Sequence, residues 1–170
     1  MLAQPIADLI NEQVNKEFYS AYLYLDMANF YADKGLLGYE NWFKVQAQEE
    51  MSHAMLFRQY QLNNGHAVTL SAIADPTKEY ENFKQPLVEA LKHEEYVTAS
   101  INTIYEEASK TKDYRTLEFL NWFIKEQGEE EMNAQENIQK FEVFGSDSKG
   151  LYMLNQELAS RVFSPPSLVI

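Results

Sequence analysis

The sequence predicts an all-α protein, a four-helix bundle with one long crossover between its second and third helices and a short fifth helix near the C-terminal end. Three observations predict it. Six Gly and five Pro in 170 residues cluster and leave four long uninterrupted stretches. Each stretch carries one apolar stripe at alternating three- and four-residue steps, the period of an amphipathic helix packed in a bundle. The connections run short, long, short, so the first and second helices, and the third and fourth, form antiparallel pairs.

The first stretch runs from about Pro5, a good helix-opening residue, to Lys34 before Gly35, with the stripe Ile6, Ile10, Gln13, Glu17, Ala21, Tyr24, Ala28, Tyr31. The second runs from about Gly38 to Asn64 before Gly65, with Tyr39, Trp42/Phe43, Gln46, Glu50, His53, Phe57 and Tyr60. The third begins at or just before Pro86 and ends near Thr111, placing Leu87, Leu91, Glu94, Thr98, Ile101 and Tyr105 on one face. The fourth spans about Asp113 to Phe144, with Leu120, Phe123, Gln127, Glu130, Ala134, Ile138 and Phe141. Each is roughly 26 to 32 residues, or about 40 to 48 Å. The crossover, Gly65 to about Lys84, is long enough to run some ~65 Å along the bundle. After Gly145, a fifth helix over about Asp147 to Phe163 gathers Leu151, Leu154, Leu158 and Val162. A four-helix core has no vacancy for that face, so a subunit contact is expected to bury it; the alternative is a helix folded back on its own bundle.

Length and composition fit a single domain over residues 1–170, bundle about 5–144 and C-terminal helix about 147–163. The residues are 45% hydrophobic and 14% aromatic, which argues against disorder, and no run approaches the roughly 18 apolar residues of a membrane span. Met1 to Ile10 lacks a basic region and a cleavage site, so a cytoplasmic protein without membrane partners is expected. The absence of cysteine excludes disulfides, thiolate zinc sites, iron–sulfur clusters and a cysteine nucleophile, leaving oxygen and imidazole as metal ligands. A formal charge of −12 argues against nucleic-acid binding and favours cationic ligands.

The informative residues break the stripes. Glu17, Glu50, His53, Glu94, Gln127 and Glu130 fall where the period demands core, each near the middle of its helix, the one height that helices of alternating direction share. Burying unpaired carboxylates costs several kcal/mol each, and no Lys or Arg lies on a stripe to offset them. Two divalent cations would balance Glu17, Glu50, Glu94 and Glu130, with His53 adding a neutral imidazole. Glu50-x-x-His53 puts two ligands on one helix face. By chemistry alone such a site accepts iron(II), manganese or zinc. Tyr24, two turns after Glu17, either donates a hydrogen bond or an electron to the site or is a core aromatic. Glu49, Glu126 and Glu129 lie one position off the stripes, either a solvated acidic face or a third cation site. His66 and His93 are expected to have no part in the centre.

The segments Glu12-Gln-Val-Asn-Lys-Glu17, Ala47-Gln-Glu-Glu-Met-Ser-His53, His93-Glu94 and Glu126-Gln-Gly-Glu-Glu-Glu131 resemble bacterial non-haem ferritins, and the similarity covers essentially the whole chain. The resemblance implies the ferritin-like fold and a ferroxidase that oxidises Fe(II) with O2 or H2O2 and stores ferric mineral in a homo-oligomeric shell of twenty-four subunits. It implies that Glu17, Glu50 and His53 bind one iron, that Glu50 bridges to a second held by Glu94 and Glu130, and that Gln127 lies beside them. Glu49, Glu126, Glu129 and Glu130 would then form a third iron site.

Bacterioferritins are the nearest rival, but they carry a second Glu-x-x-His on the fourth helix, and here Glu130-x-x leads to Asn133. Met51 stands where a bacterioferritin could place a haem ligand, yet non-haem members also have Met there, so no haem is expected. The cysteine count excludes a full-length rubrerythrin, and Dps-type shells usually lack a fifth helix. From a different class, the same bundle could buffer metal without turnover.

Overall fold

The computed structural model describes residues 2–170, and its regular structure is five helices: α1 Gln4–Asp33, α2 Leu37–Asn63, α3 Gln85–Lys110, α4 Tyr114–Phe144 and α5 Ser148–Leu158. Pro residues sit in the first turns of α1 and α3, where a missing N–H costs nothing. Gly35 (φ +75°) and Gly65 (φ +81°) close α1 and α2 in the left-handed region. There the N–H groups of Leu36 and His66 reach back to the carbonyls of Tyr31 and Gln61. Asp113 caps α4, its carboxylate accepting from the Thr116 N–H at 3.2 Å and the Thr116 hydroxyl at 2.8 Å.

The crossover follows α1 from its start towards its end. Asn11 exchanges hydrogen bonds with the backbone of Thr69 (2.8 and 3.0 Å), Asp26 accepts from the Lys78 N–H and the Tyr80 hydroxyl, and Tyr31 donates to the Phe83 carbonyl at 2.6 Å. The chain therefore re-enters at the end where α1 finished, so α2 and α3 run parallel and α1 and α4 run opposite to both.

All stripe residues of α1 and α2 are buried. On α3 the buried face lies one position round from the expected stripe. Ala90, Val97, Ile104 and Ala108 join Leu87, Glu94 and Ile101 inside, while Leu91, Thr98 and Tyr105 are half-buried. The two alanines carry little hydrophobic weight in a sequence pattern but allow the close approach that core packing uses.

The fifth helix corrects two expectations. It ends at Leu158, leaving Val162 outside it and exposed, because the Asn41 side-chain amide takes the carbonyls of Leu158, Ala159 and Arg161 and draws the chain out of helical register. Its apolar face is not left for a neighbouring subunit. Leu154 is buried among Leu23, Tyr39, Trp42 and Phe43's cluster, with Leu151 and Leu158 packed against it. Gly38 makes the docking possible, since a Cβ there would land on the Asn155 carbonyl. In return the Asn155 side-chain oxygen accepts from the Gly38 and Tyr39 N–H groups at 2.8 and 3.2 Å, capping α2, which has no cap of its own.

Asn155→Ala is therefore expected to cost about 1 kcal/mol as a lost cap. Gly38→Ala is expected to cost about 1–3 kcal/mol as overpacking and to release α5. Denaturant unfolding measures both, and faster amide exchange confined to residues 148–158 in Gly38→Ala would report the release.

Candidate metal centre

Two apolar clusters fill the ends of the bundle. One joins Ile6, Ile10 and Val14 to Phe57, Tyr60, Val97, Ile101, Ile104, Phe119, Leu120 and Phe123. The other joins Leu23, Tyr24, Met27 and Tyr31 to Tyr39, Phe43, Leu87, Ala90 and Ile138. Between them lies a polar layer, Glu17, Glu50, His53, Glu94, Gln127 and Glu130, every member 5% exposed or less. The shared mid-height of the helices thus brings together all six side chains that interrupt the stripes.

Their ligand atoms form two groups. Glu17, Glu50 and His53 each offer an atom within 4.8 Å of the others, and so do Glu50, Glu94 and Glu130. Glu50 belongs to both, which gives two adjacent seats with one shared carboxylate. The donor set is hard oxygen with one imidazole, suited to first-row divalent ions. Glu17 Oε2 is buried and has no hydrogen-bond partner, an orphaned acceptor that a cation would satisfy.

The electrostatics show the strain of the layer without cations. Burial, reinforced by the charge of Glu50, pushes Glu17 well above the usual carboxylate range and Glu94 up to about 8. Burial and then the charge of Glu94 do the same to Glu130. Burial would also raise Glu50, but the hydrogen bond and charge of His53, with Gln46 donating, hold it below its ordinary value. Burial alone would depress His53, yet the bond to Glu50 and the charges of Glu50, Glu17 and Glu130 raise it to about 10. The protons that these shifts favour carry part of the balancing charge that metal ions could carry.

A second set of side chains fixes the carboxylates. Gln46 Nε2 donates to Glu50 at 3.0 Å and to Glu130 at 2.6 Å. Gln127 Nε2 donates to Glu94 Oε2 at 3.0 Å, and the Tyr24 hydroxyl donates to Glu94 Oε1. Tyr24 is both core aromatic, stacked on Phe43, and a polar neighbour of the centre. Gln13 Nε2 donates to Glu17 Oε1 at 2.7 Å, and its direction is forced from outside: Lys16, which can only donate, reaches Ser100 Oγ at 2.7 Å, so the Ser100 proton goes on to Gln13 Oε1 at 2.6 Å. Gln13 must then present its N–H to Glu17, leaving Glu17 Oε2 free. His53 is walled by Trp122 and Phe123, ring centroids 5.6 and 5.7 Å away.

Sequence reasoning placed Gln13 and Gln46 on the stripes but gave them no role. The available signal was their position one turn before Glu17 and Glu50. His93 does point away from the carboxylates; its Nε2 pairs with Ser20 Oγ at 2.7 Å and its ring packs edge-on to Tyr24. His66 lies far off, bonded to the Leu2 carbonyl.

The acidic residues beside the layer do not act as one group. Glu126 converges on His53 and Glu130, with ligand atoms within 4.8 Å of one another. Glu129 is exposed. Glu49 is held elsewhere, in an ion pair with Arg161 Nη2 at 2.5 Å. Nothing in the local sequence marks Arg161, which lies beyond the last helix.

Carboxylates from all four helices meeting around one histidine follow the pattern of di-metal carboxylate bundles. The sequence profile of the ferritin-like domain matches residues 7–144. A bacterial non-heme ferritin of Staphylococcus saprophyticus is 37% identical over 163 residues, covering 96% of this chain and 98% of the relative. A probable bacterial non-heme ferritin-like protein of Haemophilus influenzae is 34% identical over 160 residues, covering 94% and 97%. Among solved structures, the open-pore ferritin of Archaeoglobus fulgidus superposes with TM-score 0.92 at 37% identity, covering 95% of this chain and 98% of that one. A humanized archaeal ferritin reaches 0.95 at 37% identity, covering 97% and 100%. The chain belongs to the ferritin family.

The raised Glu94 and His53 make a pH prediction for the metal-free protein. A group whose pKa is higher folded than unfolded stabilises the fold below its unfolded value and ceases to as pH rises through the folded value. For Glu94 that window runs from 4.5 to about 8, and for His53 from 6.5 to about 10. In chelator, the thermal midpoint is expected to fall between about pH 5 and about pH 9, as protons leave the buried layer. A midpoint that rises across that range would contradict the raised values.

Proposed function

We propose that this chain is an iron-storing ferritin subunit that oxidises Fe(II) at an intrasubunit pair of sites. The observation that carries the proposal is the sharing of Glu50 by two ligand groups of three side chains each. Glu17, Glu50 and His53 take one Fe(II), and Glu50, Glu94 and Glu130 take the other. Two adjacent Fe(II) ions give up one electron each, the pair that O2 needs with two protons to become H2O2, or that H2O2 needs to become water.

The chain's residues prepare this step. Glu17, Glu94, Glu130 and His53 release protons as the substrate ions enter, so charge in the layer stays near balance. Gln127 and Tyr24 hold the two oxygens of Glu94, and Gln46 holds Glu50 and Glu130 close enough to share an ion. The aromatic wall around His53 excludes water from the imidazole side. Tyr24 serves the pair through the hydrogen bond it donates to Glu94.

Storage requires a shell, and the twenty-four-subunit homo-oligomer is proposed from the relatives' identity as ferritins. The chain supplies apolar side chains for such contacts at one end of the bundle: Leu37, Val143, Phe144, Tyr152 and Met153 are all more than half exposed. The acidic surface suits a container for cations.

Aerobic addition of Fe(II), followed by ferric absorbance, is expected to show oxidation well above the protein-free blank, and Glu50→Ala is expected to abolish the fast phase while the shell remains assembled. Kinetics unchanged by Glu50→Ala would refute the assignment. Native mass measurement is expected to give a large closed oligomer; a monomer would contradict storage.

A further inference from the structure

Among the described residues, Arg161 makes a direct ion pair with Glu49 beside the acidic layer, and it is held more firmly than a surface ion pair needs. Its Nη2 reaches Glu49 at 2.5 Å, its Nη1 donates to the Trp42 carbonyl at 3.1 Å, and the guanidinium lies 4.5 Å from the centre of the Trp42 ring. Both side chains of the pair are about four-fifths buried, 21% exposed for Arg161 and 19% for Glu49. The backbone is pinned too, with the Arg161 carbonyl accepting from Asn41 at 2.9 Å. Further along the tail Ser167 accepts from the Trp122 indole at 3.1 Å and Leu168 packs against the core. Trp122 in turn lies against His53.

The guanidinium thus places a full positive charge in direct contact with Glu49. It also engages one oxygen of the Glu49 carboxylate, Oε2, directly. Among the described residues, the ligand atoms that converge with Glu126 are those of His53 and Glu130, not of Glu49.

We propose that Arg161 is a tethered cation that removes Glu49 from the acidic group beside the di-metal seats, so that the chain holds two divalent ions and not three. A third ion that used Glu49 together with Glu126 and Glu130 would have to win it from a stacked guanidinium and then sit next to that charge. Arg161 thereby sets the metal stoichiometry of the subunit. The proposal rests on the two-seat reading of the layer and adds a residue that limits it.

Calorimetric titration of the assembled protein with Zn(II), which does not turn over, separates the outcomes. Wild type is expected to bind two ions per subunit tightly. Arg161→Leu, which keeps the apolar stem on Trp42 but loses the charge, is expected to bind three. Arg161→Lys, retaining the cation, is expected to bind two, and Glu49→Gln added to Arg161→Leu is expected to return it to two. Three tight ions in wild type, or two in Arg161→Leu, would overturn the role of Arg161 while leaving the paired seats standing. A wild type that binds no ion in the layer would overturn the two-seat reading itself and this proposal with it.

Discussion

Four carboxylates buried in one layer, between two apolar half-cores, form the constraint on which the rest of this structure depends. Each helix gives up a mid-length core position to place one there, at a cost of several kcal/mol per group unless charge is neutralised. The bundle meets that cost locally with raised proton affinity at Glu17, Glu94 and His53 and with amide donors from Gln13, Gln46 and Gln127. Those arrangements are the ones that two divalent cations would take over. The direction of the amide donors matters as much as their presence, because the Lys16–Ser100–Gln13 chain leaves one Glu17 oxygen without a partner.

The apolar ends make the layer rigid. Tyr31 stacks on Tyr39 and Phe43, and Phe57 stacks on Phe123, so the helices that carry Glu17, Glu50 and Glu130 are locked above and below the polar level. The crossover lies along α1, and the parallel α2–α3 arrangement it creates brings Glu50 and Glu94 to the same height. Ligand placement is therefore a property of the whole bundle, as expected of a site built on helices and not on loops.

Much of this was legible in the sequence because helical periodicity converts position into depth. Glu17, Glu50, Glu94 and Glu130 announce themselves as carboxylates on core positions, and the common mid-height needs only short antiparallel connections. What periodicity could not show is anything set by contacts distant in sequence. Asn155 capping α2 across more than a hundred residues, Gly38 admitting α5, and Arg161 pairing with Glu49 have no local signature. The fifth helix was misjudged for the same reason: its apolar face was visible, but the vacancy that receives it is made by Gly38 and the α2 terminus. On α3, alanines hid the true centre of the buried face.

The central claim is that the layer exists to hold a pair of metal ions bridged by Glu50. Anomalous diffraction from crystals soaked in Zn(II) tests it most directly. The account predicts two peaks in every subunit, one among Glu17, Glu50 and His53 and one among Glu50, Glu94 and Glu130, with Glu50 touching both. A single peak, or peaks only on exposed surface carboxylates, would contradict it.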